Sequence, residues 1–117
     1  MTPTVSVKDA LKYNDMLPKK SKVEKIIDIK PSKKPLKKYD AFVENNETKR
    51  VRVISFGQKY PDGTPYEQFK DKIGFYKKYD HNDEERRQRY LKRHSKYPKF
   101  DEEGRYTASY FADYFLW

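Results

Sequence analysis

Four arginines fall within eight positions, Arg86, Arg87, Arg89 and Arg93. A guanidinium group pairs bidentately with phosphate or carboxylate, so this cluster is a candidate anion contact. Its alternative use is a solvated helix face carrying i,i+4 pairs such as Glu85–Arg89. A second cationic set is paired along the N-terminal third: Lys19 and Lys20, Lys33 and Lys34, Lys37 and Lys38. Each lysine set against a phosphate releases a counterion and adds salt dependence. The lysine set lacks the interleaved aromatics of a single-strand platform. Nothing in either set reads bases. Thiolate metal sites and cysteine nucleophiles are excluded, because the chain has no cysteine. His81 and His94 are too far apart for an HExxH zinc site. The acidic runs Asp83-Glu84-Glu85 and Asp101-Glu102-Glu103 resemble nuclease metal ligands only in composition. Each precedes or opens a helix, where acids complement the dipole. No GxxxxGK[ST] or GxGxxG loop is present. The residues therefore predict a binding protein rather than an enzyme, with no cofactor, no metal and no small-molecule substrate.

Elements must position these groups. Asn82 reads as the cap of a helix over 82–94, with acids in the first turn and Arg86, Arg87, Arg89, Lys92 and Arg93 after them. Pro98 stops it. Tyr90, Leu91 and His94 form its inward stripe. Thr107 caps a second helix over 107–116, whose Tyr110, Phe111, Tyr114 and Phe115 make one broad aromatic face. Residues 39–56 alternate as a β-hairpin around Glu44-Asn45-Asn46-Glu47, and Gly57 ends its second strand. The connection 58–79 carries Tyr60, Tyr66, Phe69, Phe75, Tyr76 and Tyr79, which predicts that it is pinned down, with a short helix near Glu67–Lys72. Residues 1–17 open with a short helix capped by Ser6. The expected core is Phe42, Val51, Val53, Phe56, Tyr90, Leu91, Phe111, Phe115 and Trp117.

The charge divides the chain in two. Residues 1–38 hold 11 Lys against 4 acids, a net of +7 out of +9 for the whole chain. That segment is broken by Pro18, Pro31 and Pro35 and carries one apolar island, with Val23, Ile26, Ile27 and Ile29. The pattern predicts an extended basic arm, 1–38, ahead of a small domain, 39–117. Ile26, Ile27 and Ile29, with the six paired lysines, are its candidate partner contacts. Only 35% of the 117 residues are apolar, yet 16% are aromatic, and large rings let so lean a chain build a core. No 18-residue apolar run and no N-terminal apolar h-region occur, so neither a membrane span nor a signal peptide is expected. Synthesis in the cytoplasm or nucleus is the default.

The strings Val53-Ile54-Ser55-Phe56-Gly57, His81 through His94, and the closing Leu116-Trp117 resemble a small family of large DNA viruses of algae and amoebae and of some tailed phages. The resemblance covers about residues 39–117. The run from His81 to His94 is its specific part; SFG alone is weak. A longer, aromatic loop between Gly57 and His81 departs from the family pattern. The family has no assigned enzymatic activity, so no catalytic residues carry over. Taken together, these readings predict an α+β fold, a β-hairpin packed with two or three short helices behind the basic arm. A viral origin implies a virion protein of minor capsid type, its arm linking neighbouring shell subunits. The alternative is a non-specific nucleic-acid-binding protein associated with the genome.

Overall fold

A computed structural model describes Leu17 and residues 19–117. Three antiparallel strands form one sheet in chain order: β1, Glu24–Pro31; β2, Lys37–Asn45; and β3, Val51–Gln58. Helices α1, Glu84–His94, and α2, Ala108–Phe115, follow, with one 3-10 turn at Lys77–Tyr79 before them. The class is α+β, as the sequence predicts.

The hairpin of β2 and β3 is present. Asn45 turns it, its Oδ1 accepting from the amides of Glu47 and Thr48 at 2.9 and 2.8 Å. Phe56 is in the core as expected, but the expected core residues Phe42, Val51 and Val53 lie on the other face. Tyr39, Ala41, Val43, Ile54 and Phe56 face the core, while Val51 and Val53 are 51% and 48% exposed. Phe42 pairs with Val53 on the outer face and is only half-buried. Arg52 explains the register. It occupies an inward position, where its Nε and Nη2 each meet the Glu24 carboxylate at 2.9 Å. Nη2 also donates to the Tyr106 carbonyl at 2.7 Å. A bidentate pair with the buried Glu24 satisfies a half-buried charge that would otherwise flip the strand. The partner, Glu24, lies in β1, beyond the reach of any local pattern.

β1 revises the predicted arm. Residues 24–38, assigned to it by charge and prolines, run through β1 and into β2. Ile26 and Ile29 are buried in the core, and Ile27 is a bulge between the Ile26–Val43 and Asp28–Phe42 pairs. The segment before β1 is stitched to the C-terminal part. The Ser21 amide donates to the Tyr106 hydroxyl at 3.0 Å, and Ser21 Oγ to the Gly104 carbonyl at 2.6 Å. The Tyr110 hydroxyl donates to the Lys19 carbonyl. A boundary at residue 38 would cut the sheet. The helix expected over 1–17 lies outside the described residues, apart from Leu17, which is buried in the core.

α2 forms as read. Thr107 caps it, accepting from the Tyr110 amide at 3.2 Å, and Tyr110, Phe111 and Phe115 are buried against the sheet's inner face. Phe111 stacks on Phe56 with centroids 5.4 Å apart. α1 is shifted by one cap. Asp83, not Asn82, accepts from the amides of Glu85 and Arg86 at 3.0 and 3.2 Å. Asn82 instead takes the left-handed conformation, φ 55°, which turns the chain into the helix. No residue of α1 is fully buried, so Tyr90 and Leu91 are flanking rather than core residues.

The 58–79 connection is pinned down, by polar groups as much as by rings. The buried Tyr39 hydroxyl donates to Asp71. Asp71 in turn accepts from the amides of Ile73, Gly74 and Tyr76 at 2.8, 2.9 and 2.8 Å. Gln68, fully buried, donates to Asp80 Oδ1 at 2.6 Å and accepts from Lys38 Nζ at 2.6 Å. No helix forms at 67–72, because the backbone there serves this network and a bridge from Gln68 to Asp80.

Candidate functional site

One cleft of about 440 Å³ opens between the two helices and the end of the sheet. Its floor is Phe56, Gly57 and Gln58 of β3. One wall is α2, through Ala108, Ser109, Ala112 and Leu116. The other is α1 and the turn after it, through Arg86, Tyr90, Arg93, His94 and Tyr97. Those positions recur at i, i+4, i+7, i+8 and i+11, the spacing of a single helix face.

The α1 wall is held by stacked rings. Trp117 and Tyr90 lie 4.1 Å apart at 3°, and Tyr90 and His94 3.9 Å apart at 18°. His94 then meets Tyr97 at 5.5 Å, and Trp117 meets His81 at 5.2 Å. Tyr90 thus has a stacked ring on each side. His94 Nδ1 lies 2.9 Å from the Tyr90 carbonyl. Burial pushes the Tyr90 phenol up to about 12, although Arg93 nearby pulls it down. The phenol therefore stays a neutral donor at physiological pH. Ser109 Oγ is buried without a hydrogen-bond partner.

The four arginines separate in the structure. Arg86 and Arg93 line the cleft. Arg86 has only a loose ion pair, 3.6 Å to the exposed Glu67. Arg93 has no ion pair among the described residues. Arg87 is structural instead. Its Nε donates to the Trp117 main-chain oxygen at 2.7 Å, its Nη1 to Glu84 at 3.0 Å, and its guanidinium covers the Phe69 ring. Arg89 is exposed outside the cleft, and the expected Glu85–Arg89 pair gives way to Glu84–Arg87.

The lysines separate too. Lys37 joins Arg86 and Arg93 in the cleft. Lys38, read as a partner contact, is 2% exposed and donates to the Tyr66 carbonyl and to Gln68, both at 2.6 Å. Burial lowers its pKa to about 8, against the raising effect of Asp71 and Asp80. Lys19, Lys20, Lys33 and Lys34 are exposed. Ile26 and Ile29 are core residues and not available to a partner, and Ile27 is half-buried at the bulge. His81 is the cap-side support of α1, its Nδ1 accepting from the Asp83 amide at 2.9 Å. Burial first, and Arg86 second, lower its pKa, so it is neutral there.

Sequence reasoning singled out the arginines but missed the cleft. The helical recurrence of Arg86, Tyr90, Arg93 and Tyr97 was the available signal. Lys37, Ser109 and Trp117 reach the same place only through the tertiary fold. No known protein family matches the chain, and no curated protein or solved structure matches it.

Proposed function

We propose that this protein is a virion structural protein of minor capsid type, a small non-enzymatic domain that docks on larger shell proteins. The observation that carries this reading is the open face of the sheet. On its outer side Val51 and Val53 are about half exposed beside the half-buried Phe42. Lys30 lies over the Phe42 ring at 4.8 Å and leaves a cation at the edge of this apolar patch. A partly exposed apolar patch with a charged rim is the kind of surface that protein partners bury. The resemblance of the His81–His94 run to a viral family supplies the virion. The part of the arm left for linking neighbours is shorter than the sequence predicts, since β1 belongs to the domain.

A second reading, non-specific nucleic-acid binding, is favoured by the exposed Lys19, Lys20, Lys33, Lys34 and Arg89. A single experiment separates the two. Purified virions are extracted with nuclease and rising salt, and the chain is quantified by mass spectrometry in the shell and genome fractions. The shell role expects a fixed ratio to the major shell protein that survives nuclease and high salt. Release with the genome at moderate salt favours nucleic acid. Absence from virions removes both.

A further inference from the structure

We propose that the cleft between α1 and α2 receives an extended acidic segment of a protein partner, with apolar side chains entering the cleft and carboxylates meeting Arg86, Arg93 and Lys37. The inference rests on the docking reading above and names the chemistry of one contact.

The shape of the cleft comes first. Its lining runs the length of α1, from Arg86 to the turn at Tyr97. At 1.5 Å per residue the helical part of that span, Arg86 to His94, is about 12 Å, the length of roughly four extended residues, and the turn to Tyr97 adds to it. A compact anion would fill one end only. Phe56 in the floor and Ala108, Ala112 and Leu116 in the α2 wall supply apolar surface, interrupted by Gln58 and Ser109. The volume of about 440 Å³ accommodates side chains as well as backbone.

The charge comes second. Arg86 and Arg93 stand two helical turns apart, about 10 Å along the axis. Lys37 enters from the sheet end. The acid facing this set is Glu67, an exposed side chain that reaches Arg86 at 3.6 Å, too far for a hydrogen bond. Glu67 thus marks where a ligand carboxylate would sit and yields easily to a closer one. Ser109 Oγ, buried without a hydrogen-bond partner among the described residues, and the Tyr90 phenol add neutral donors inside.

The rings decide between protein and nucleic acid. A single-strand platform needs free aromatic faces for bases. Here Tyr90 is stacked on both sides, by Trp117 and His94, and the exposed Tyr66 already stacks on Tyr60 at 4.1 Å, so that Tyr97, tilted against His94, is the one cleft ring without a stacked partner among the described residues. The cleft therefore offers its cations beside a single unstacked ring, which suits a peptide better than a run of bases.

Trp117 is the chain's single tryptophan and lines the cleft, so its emission reports binding directly. The full chain is titrated with an N-acetylated octapeptide of alternating glutamate and leucine, and separately with an eight-nucleotide oligothymidylate. The expected result is a saturable change in Trp117 emission with the peptide. Arg86→Glu, Arg93→Glu and Lys37→Glu should each weaken it at least tenfold. Arg89→Glu, on the same helix but outside the cleft, should stay within twofold. All four side chains are at least partly exposed, and unchanged melting curves verify the fold. The proposal is overturned by no saturable change, by equal weakening in Arg89→Glu, or by tighter binding of the oligothymidylate. A chain found in the shell fraction that binds no peptide removes this contact and leaves the shell role. Peptide binding by a chain absent from virions does the reverse.

Discussion

Gly57 shows how one residue ties a motif to a fold. Its φ is +78°, and a Cβ built on it would lie 2.8 Å from Lys38 Cβ and 2.9 Å from Lys38 Cδ. The first of these atoms sits on the β2 backbone and cannot swing away. Gly57→Ala therefore adds left-handed strain of about 1–2 kcal/mol to a steric clash of similar size. The variant should lose about 2–4 kcal/mol, read as a drop of roughly 10 °C or more in a thermal melt. A loss under about 1 kcal/mol would show that β2 and β3 are not in this register. Each residue of Ser55-Phe56-Gly57 serves the fold. Ser55 Oγ donates to Asp40 at 2.6 Å, Phe56 fills the core, and Gly57 makes room for the buried Lys38. Lys38 was illegible for the same reason. Its pairing with Lys37 marks it as solvated, and only the loop delivering Gln68 and the Tyr66 carbonyl makes burial tolerable.

At the scale of elements, the legible ones carry their own instructions. Caps, dipole-matched charges and the aromatic i,i+4 face place α1 and α2 to within a residue or two. The Asn-rich turn and period-two alternation place the β2–β3 hairpin. Two things stayed hidden. β1 reads as Lys-Pro tether because its short island, Ile26 to Ile29, contains a bulge that breaks alternation at Ile27. Phe42, Val51 and Val53 read as core, although Phe56 is, because Arg52 points inward to a carboxylate 28 positions away and sets Val51 and Val53 outward. The attachment of α1 is equally non-local. Having no fully buried residue, it is held through the Trp117–Tyr90–His94 ladder and the Arg87 bond to the Trp117 main-chain oxygen. Trp117→Ala removes the end of that ladder and the cap over His81. It should cost about 2 kcal/mol, less than a fully buried tryptophan. Amide exchange localises the effect: α1 amides should exchange at least tenfold faster, while those of β2 keep their protection. Uniform acceleration of both would mean that α1 and the sheet open as one unit.

The whole molecule stores ionisable groups in its core, and their opposed shifts give its stability a shape in pH. Lys38 is charged in both folded and unfolded chains below pH 8, so its burial penalty is then fully present. As pH rises from 8 toward 10.5, the folded chain releases that proton before the unfolded one does. The unfolded state binds more protons in this window, and stability increases, by about 1–2 kcal/mol near pH 9.5. Tyrosines act in the other direction. Burial raises Tyr39, Tyr90, Tyr106 and Tyr110, with Asp71 adding to the effect on Tyr39. Unfolded tyrosines ionise near pH 10 while the folded ones hold their protons, so stability falls steeply above that point. Urea unfolding from pH 7 to 11 should therefore pass through a maximum between about pH 9 and 10, well above the usual range. Lys38→Met should remove most of the rising limb whatever its effect on absolute stability, leaving the smaller share of Lys72 and Lys99, which burial also lowers, and Tyr39→Phe should soften the falling one. A wild-type profile that is flat from pH 7 to 9.5 would place the Lys38 ammonium in water and undo the packing of β2 against the 58–79 connection. That packing also decides how the +9 net charge is used. Lys38 is withdrawn into the core and Arg87 into the α1 attachment, so the cations left to meet a partner are those at the cleft and on the exposed surface.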